Sequence, residues 1–314
     1  MAGSQVPEVT AYPIPRRLNF SIAGTAIAGG LGLLWLGSHG GAVMMWVSAV
    51  VFSFLMLTTY ALIHEATHNT LHPDVAVNQG IGVVLSWFFP TSFSVLRLTH
   101  IVHHRCNRTD HEMFDYYYPE DSRLIKWIQW YGILLGLWWW LIPLGTILFA
   151  FVPRLARSAP FKRARSSAIM FDDFGKREIW QVRAEIVGAA IFWIIMFHLL
   201  SLSWNAVFAA YLCFSINWST RQYVTHAFTP RDVRTGALNL KVGPAMSWIL
   251  LRGHWDLVHH MNPHLPWVYL PELGRTSRQP VSYWRQYFQQ WRGPRIAPEP
   301  APQVLSEKSY HAMR

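Results

Sequence analysis

Residues 42–68 read AVMMWVSAVVFSFLMLTTYALIHEATH. The first two thirds of this stretch are apolar and carry no charge, and about 18 or more such residues is the length that crosses a bilayer. The run passes directly into His64-Glu-Ala-Thr-His68. Side chains at i and i+4 share one face of a helix. A membrane helix is therefore expected to carry a histidine pair to the point where it leaves the lipid. Neutral imidazole is the commonest metal ligand near neutral pH, and the end of a rigid helix holds a ligand precisely.

Other apolar runs lie at about 21–37, 127–151 and 184–218, in a chain of 314 residues that is 52% hydrophobic and 14% charged, with 17 Trp and 18 Phe. That composition argues against a soluble globule. An uncharged turn, Gly37-Ser-His-Gly-Gly41, joins the first two runs, and a second, Leu202-Ser-Trp-Asn205, lies inside the last. Residues 18–63 and 184–225 each read as a transmembrane hairpin. The run at 127–151 is flanked by basic residues and holds Gly132, Gly136, Pro143 and Gly145, which suits a re-entrant or interfacial element, or a broken hairpin. The apolar stretch Gly80 to Leu98 is broken by Pro90 and is expected at the interface or packed on the core.

The predicted fold is all-α and integral to the membrane: two transmembrane helical hairpins, an interfacial or re-entrant element, and a cytoplasmic helical cap carrying a di-metal histidine site. Three segments are expected: residues 1–17 as a flexible N-terminal arm, 18–275 as the membrane domain, and 276–314 as an amphipathic stretch followed by a Pro-bearing, disordered C-terminal tail.

The 27 Lys and Arg exceed the 17 Asp and Glu, and their placement reports topology. Arg16 and Arg17 precede the first run, Arg97, Arg105, Arg108, Arg123 and Lys126 follow the second, and Lys162, Arg163, Arg165 and Arg183 are among those before the last. Both uncharged turns lack Lys and Arg. The positive-inside rule then puts the N-terminus, every histidine cluster and the C-terminus in the cytoplasm, in a multi-pass protein. The basic excess suits anionic headgroups. It does not suggest nucleic acid, since no recognisable binding module accompanies it. Cys106 and Cys213 give no disulfide framework. Cys106 reads as a bystander to the nearby histidines.

Two further clusters join the first. His100-Ile-Val-His103-His104 is the more specific. Adjacent residues on a helix splay by about 100°, so His103 and His104 face different ions, with His100 sharing a face with both. In Asp256-Leu-Val-His259-His260 a carboxylate stands first. Carboxylate is a competent iron ligand, so Asp256 is expected to bind metal directly or through water. His226 follows the last membrane helix and is expected to be a ligand. Gln222, one turn earlier, offers a carbonyl or a water-holding group. His254 points to a different helix face and is a weaker candidate, and Glu65 and Asp110 complete the set of outer residues. One structural ion usually takes about four ligands. The clusters supply roughly twice that, which favours two ions. His64-Glu65-Ala-Thr-His68 also matches the zinc protease signature with Glu65 as general base. An intramembrane metalloprotease is therefore the rival reading, though it leaves the other clusters without a role.

The residues His64/His68, His100/His103/His104 and His259/His260, with the ending Pro263-His-Leu-Pro266-Trp267, resemble the histidine boxes of the membrane fatty acid desaturase and hydroxylase superfamily. The similarity in order and spacing covers roughly residues 20–275. It implies two iron ions at the cytoplasmic face, joined by a histidine after the last membrane helix, here His226. It implies an O2-dependent oxidoreductase acting on a fatty acyl or alkyl chain, a desaturase first, with hydroxylation or alkene-forming decarboxylation as alternatives on the same scaffold. A separate electron donor of ferredoxin, rubredoxin or cytochrome b5 type is expected. The departure from the family pattern is Asp256, where the usual box begins with histidine. Trp87-Phe-Phe89 and Trp138-Trp-Trp140 are expected either to wall a substrate tunnel or to form interfacial belts.

Overall fold

The computed structural model describes residues 12–159, 161, 169, 174–275, 277 and 279–311. Residues 1–11 of the expected arm, and Lys162, Arg163 and Arg165 of the basic stretch, lie outside the described residues.

Two antiparallel helix pairs form the body. α1 (Arg16–His39) and α2 (Ala42–Thr67) turn at Gly40 and Gly41, inside the uncharged turn. α1 begins at Arg16, so the last residues of the expected arm are already helical. At a rise of about 1.5 Å per residue, both helices exceed the ~30 Å apolar layer of a bilayer. Four helices follow: α3 (Val75–Ser86), α4 (Phe93–Cys106), α5 (Arg123–Leu134) and α6 (Leu141–Phe151). The second pair is α7 (Lys176–Leu199) and α8 (Trp204–Gln222). The Ser203 N–H donates to Ser38 Oγ at 2.9 Å, so both hairpin turns meet at one end of the bundle. The histidine clusters gather at the other end.

Of these, α1, α2 and α7 are long and apolar enough to cross a membrane. α8, expected as the fourth span, carries Asn205, Ser215, Asn217, Ser219 and Thr220. Its place in the bundle accounts for this. Ala209, Ala210, Phe214 and Ser215 are buried, and Asn217 donates to Ser53 of α2 at 3.0 Å. A helix that faces protein can keep polar groups that are satisfied there.

The run at 127–151 is a bent pair. α5 and the helical stretch Trp138–Phe151 meet at 74°. Gly136 sits in the bend at φ +75°, with the Ser215 carbonyl 3.0 Å from where a Cβ would stand. Only glycine takes both that conformation and that close approach without strain. The stretch around Pro90 is packed on the core as expected: it separates α3 from α4, and Phe88, Phe89 and Phe93 are buried with Phe52, Met56, Phe214 and Trp267.

Two features depart from the expected fold. Short parallel ladders join segments distant in sequence, Tyr116–Tyr117 with Arg295–Ile296 and Leu240–Lys241 with Val281–Ser282. The C-terminal tail is also placed, up to residue 311. The amphipathic stretch is the helix Tyr283–Gln290. Beyond it the Leu305 N–H donates to the Arg105 carbonyl at 2.9 Å, and Tyr310 is 1% exposed. Proline-rich chain has no apolar period to announce burial, yet it docks through backbone pairing and one aromatic side chain.

A buried ion pair links the segments that follow α4 and α8. Arg108 donates to Asp115 at 2.7 Å and to the Thr229 carbonyl at 3.1 Å, and Asp115 also accepts from the Phe228 N–H. Arg108 and Asp115 are almost wholly buried, so each neutralises a charge that would otherwise be costly. This junction holds the chain after His104 against the chain around His226.

Candidate metal centre

Each histidine is delivered by a helix end or the loop after it. His64 lies in the last turn of α2, with His68 just beyond. α4 presents His100, His103 and His104 from its second half. His226 follows α8 in a loop. Asp256, His259 and His260 lie on the six-residue helix Asp256–Met261. The eight imidazoles fall into two groups: His64, His68, His100, His104 and His259 in one, and His103, His226 and His260 in the other. Within each group the ligand atoms lie within 4.8 Å of one another. His103 and His104 do go to different groups, as their splay predicts. His100 lies beside both His103 and His104, at ring separations of 5.6 and 4.7 Å, and its ligand atom falls in the first group.

The first group is closely convergent. His100 Nε2 is 2.8 Å from His68 Nε2 and 3.0 Å from His104 Nε2, and His259 Nε2 is 3.1 Å from His104 Nε2. Two nitrogens at about 2.1 Å from one ion and at right angles to each other stand about 3.0 Å apart. The spacing is that of ligands around one metal.

Neighbours fix the rings from behind. Glu65 accepts from Thr70 Oγ1 at 2.7 Å and from the Trp267 N–H at 3.2 Å, and lies 3.9 Å from His64 Nδ1. The Trp267 indole donates to Asn19 Oδ1 at 2.9 Å, so the ending Pro-His-Leu-Pro-Trp secures that carboxylate. Glu112 lies 3.5 Å from His103 Nδ1. His226 Nδ1 donates to the Gly236 carbonyl at 3.2 Å. Carboxylates and carbonyls in this position set the tautomer that leaves Nε2 free for metal.

Burial is the main influence on the charge states. It holds His100 and His104 well below the usual imidazole range, and neighbouring imidazoles push the same way. Burial lowers His259 and His260 as well, with Asp256 opposing. These rings are neutral at pH 7, the form that binds metal. Burial would also lower His226, but Asp256 outweighs it and the net shift is upward. Asp256 itself is held well below the carboxylate range: burial opposes ionisation, and His226 and His260 overcome it.

The remaining candidates separate. Asp256 stands against the second group, its Oδ2 3.0 Å from His226 Nε2. Gln222 lines the adjoining cavity. Asp110 belongs to neither group: it binds Arg231 at 2.8 Å and accepts from Tyr118 at 2.7 Å, because a nearby guanidinium is the stronger partner. His254 also stands outside both groups. It lines the cavity, and burial, then Arg252, push its pKa down to about 4. Cys106 is buried and, among the described residues, belongs to neither group. His264 keeps a structural place, its Nδ1 3.4 Å from the His68 carbonyl. Glu112 and Tyr310 escape the sequence reading. Tyr310 brings its ring 6.0 Å from that of His104, closing the tail over the site.

A cavity of about 1080 Å³ opens onto both groups. Phe89, Trp138, Trp139, Ile142 and Trp218 give it apolar walls, while His64, His100, His103, His226 and His259 face it. The two aromatic triplets therefore split: Phe89, Trp138 and Trp139 wall the cavity, and Trp140 is exposed on the outer surface.

Comparison with known proteins adds one match. The profile of the fatty acid desaturase family covers residues 41–291, which includes every histidine of both groups. Among curated proteins, none matches.

Proposed function

This chain belongs to the fatty acid desaturase family, and from that premise we propose that it is an O2-dependent, di-iron desaturase of a fatty acyl or alkyl chain. The observation that carries the reading is the pairing of two imidazole groups with one apolar cavity. Removing hydrogen from an unactivated C–H bond is beyond acid–base side chains, and iron with O2 supplies that chemistry when bound.

The protein's own residues do the rest. Imidazoles on α2, α4 and Asp256–Met261 would hold the ions at fixed positions. Glu65, Glu112 and the Gly236 carbonyl orient His64, His103 and His226 from behind. Phe89, Trp139 and Trp218 hold an apolar chain against the metal-bearing wall and keep water away. Imidazole-rich sites suit iron. The basic residues at the histidine-bearing end support a cytoplasmic site by the positive-inside rule, and they would offer a surface to a separate acidic electron donor.

The metalloprotease reading does not fit this arrangement. Glu65 lies behind His64, nearest its Nδ1, and is bound by Thr70 and Trp267. A general base must instead reach the water on the metal.

Comparing lipid extracts from cells with and without the gene tests the proposal. A new double bond in the acyl chain is expected. A hydroxylated chain or a terminal alkene would reassign the reaction within the family, and unchanged lipids together with peptide cleavage would overturn the reading.

A further inference from the structure

The two histidine groups are unequal, five imidazoles against three. Asp256 stands beside the poorer one. Its Oδ2 is 3.0 Å from His226 Nε2, and its Oδ1 is 3.9 Å from His260 Nε2. The tautomer of His226 follows from its other side. The Gly236 carbonyl, 3.2 Å from Nδ1, can only accept, so Nδ1 carries the proton. His226 Nε2 therefore faces the Asp256 carboxylate, and the same carboxylate lies against His260. Asp256 Oδ2 is itself buried and receives no well-aligned hydrogen bond among the described residues. Two acceptors 3.0 Å apart require a cation between them or a second proton on the ring.

The separation accommodates a shared ion. Oxygen and nitrogen ligands, each about 2.0–2.2 Å from one ion and at right angles, stand about 3 Å apart. Asp256 adds a carboxylate beside the three imidazoles of this group.

Resting on the di-iron reading, we propose that Asp256 is the fourth protein ligand of the second ion, so that the enzyme holds two chemically distinct irons. One sits among five imidazoles. The other sits among His103, His226, His260 and the Asp256 carboxylate. The anionic oxygen lowers the net charge of that site by one and is the harder ligand, so it favours the higher oxidation state there. Asp256 thus makes the two sites differ in charge, where a histidine would leave them differing only in the number of imidazoles.

Full-length protein in detergent, loaded with isotopically enriched iron, tests this by Mössbauer spectroscopy alongside metal analysis. Two quadrupole doublets of equal area are expected from the native chain. In Asp256→Asn, which keeps the shape and removes the charge, iron is expected to fall from two per chain to one. The doublet of the five-imidazole site persists in that variant and serves as the control for folding. Asp256→Glu is expected to retain two irons, with one doublet shifted and the other unchanged. If Asp256→Asn keeps two irons and both doublets unaltered, Asp256 is only the ion-pair partner of a protonated His226 and the proposal is overturned. A native chain that takes up no iron would overturn the di-iron reading itself, a result distinct from the Asn variant's.

Discussion

The first and third histidine clusters sit on supports that could hardly differ more. His64 and His68 close a 26-residue helix that packs along its length against α1 and α8. Asp256, His259 and His260 occupy a helix of six residues. An isolated helix that short has no stability of its own, so its neighbours hold it. Asn239 Oδ1 accepts from the Val258 N–H at 3.3 Å, and the Leu240 N–H donates to the His254 carbonyl at 2.8 Å. Gly274 leaves room for the Trp255 ring, which would occupy the space of any Cβ there. One cluster is positioned by a local element, the other by tertiary contacts. Substitutions distant from the metals should therefore disturb the third cluster more than the first.

The largest effect is expected where a ligand of the five-imidazole group is removed. His104→Ala takes a buried imidazole from the five-ligand group and should reduce turnover below detection, with loss of iron, measured by product formation and metal analysis. Next comes the buried ion pair. Arg108→Met leaves Asp115 charged and unpaired and should cost about 3–5 kcal/mol, read as a lowered thermal midpoint. Since this junction fixes the segment around His226, iron at the second group should be lost first. Asn239→Ala should cost about 1–3 kcal/mol by stranding buried polar groups. It should loosen the third cluster while leaving the first intact; the second group, with His260 and Asp256 on that helix against His259 alone for the first, should lose iron more readily, and greater loss from the first group would break the comparison. Glu112→Gln weakens the support behind His103 and should lower metal affinity there by about 10–100-fold, followed by competition with a chelator.

The smallest expected effect is on pH dependence. Burial holds His254 at about 4 in the folded chain, while the unfolded value is about 6.5. A depressed imidazole is neutral when folded and protonated when unfolded between those values. Stability is then lost as pH falls from about 6.5 to about 4 and is unaffected above that window. His254→Asn should flatten this part of the stability curve, as measured by denaturant titration across it.

The same contrast explains what could be read from sequence. α1, α2, α7 and their turns were legible because length, apolarity and absence of charge act locally. The histidine spacing was legible because helical periodicity fixes which side chains share a face. The sharing of His103 and His104 between groups followed from that rule. The fall of the His100 ligand atom in the first group did not, since it depends on where α4 lies against α2. α8 reads as less apolar than a lipid-facing helix because Asn217 and Ser215 are satisfied inside the bundle. Asp110 lines the cavity and pairs with Arg231, a partner distant in sequence that its spacing could not announce. Glu112 reaches His103 from an irregular loop and has no periodic signal. Tyr310 belongs to a tail whose proline content resembles that of unstructured chain, and only its contact beside His104 marks it as part of the site.

The central claim is that the two imidazole groups each hold an iron ion. Metal analysis of the purified full-length protein tests it most directly. The account predicts about two irons per chain, with little zinc. One zinc per chain and no iron would contradict it.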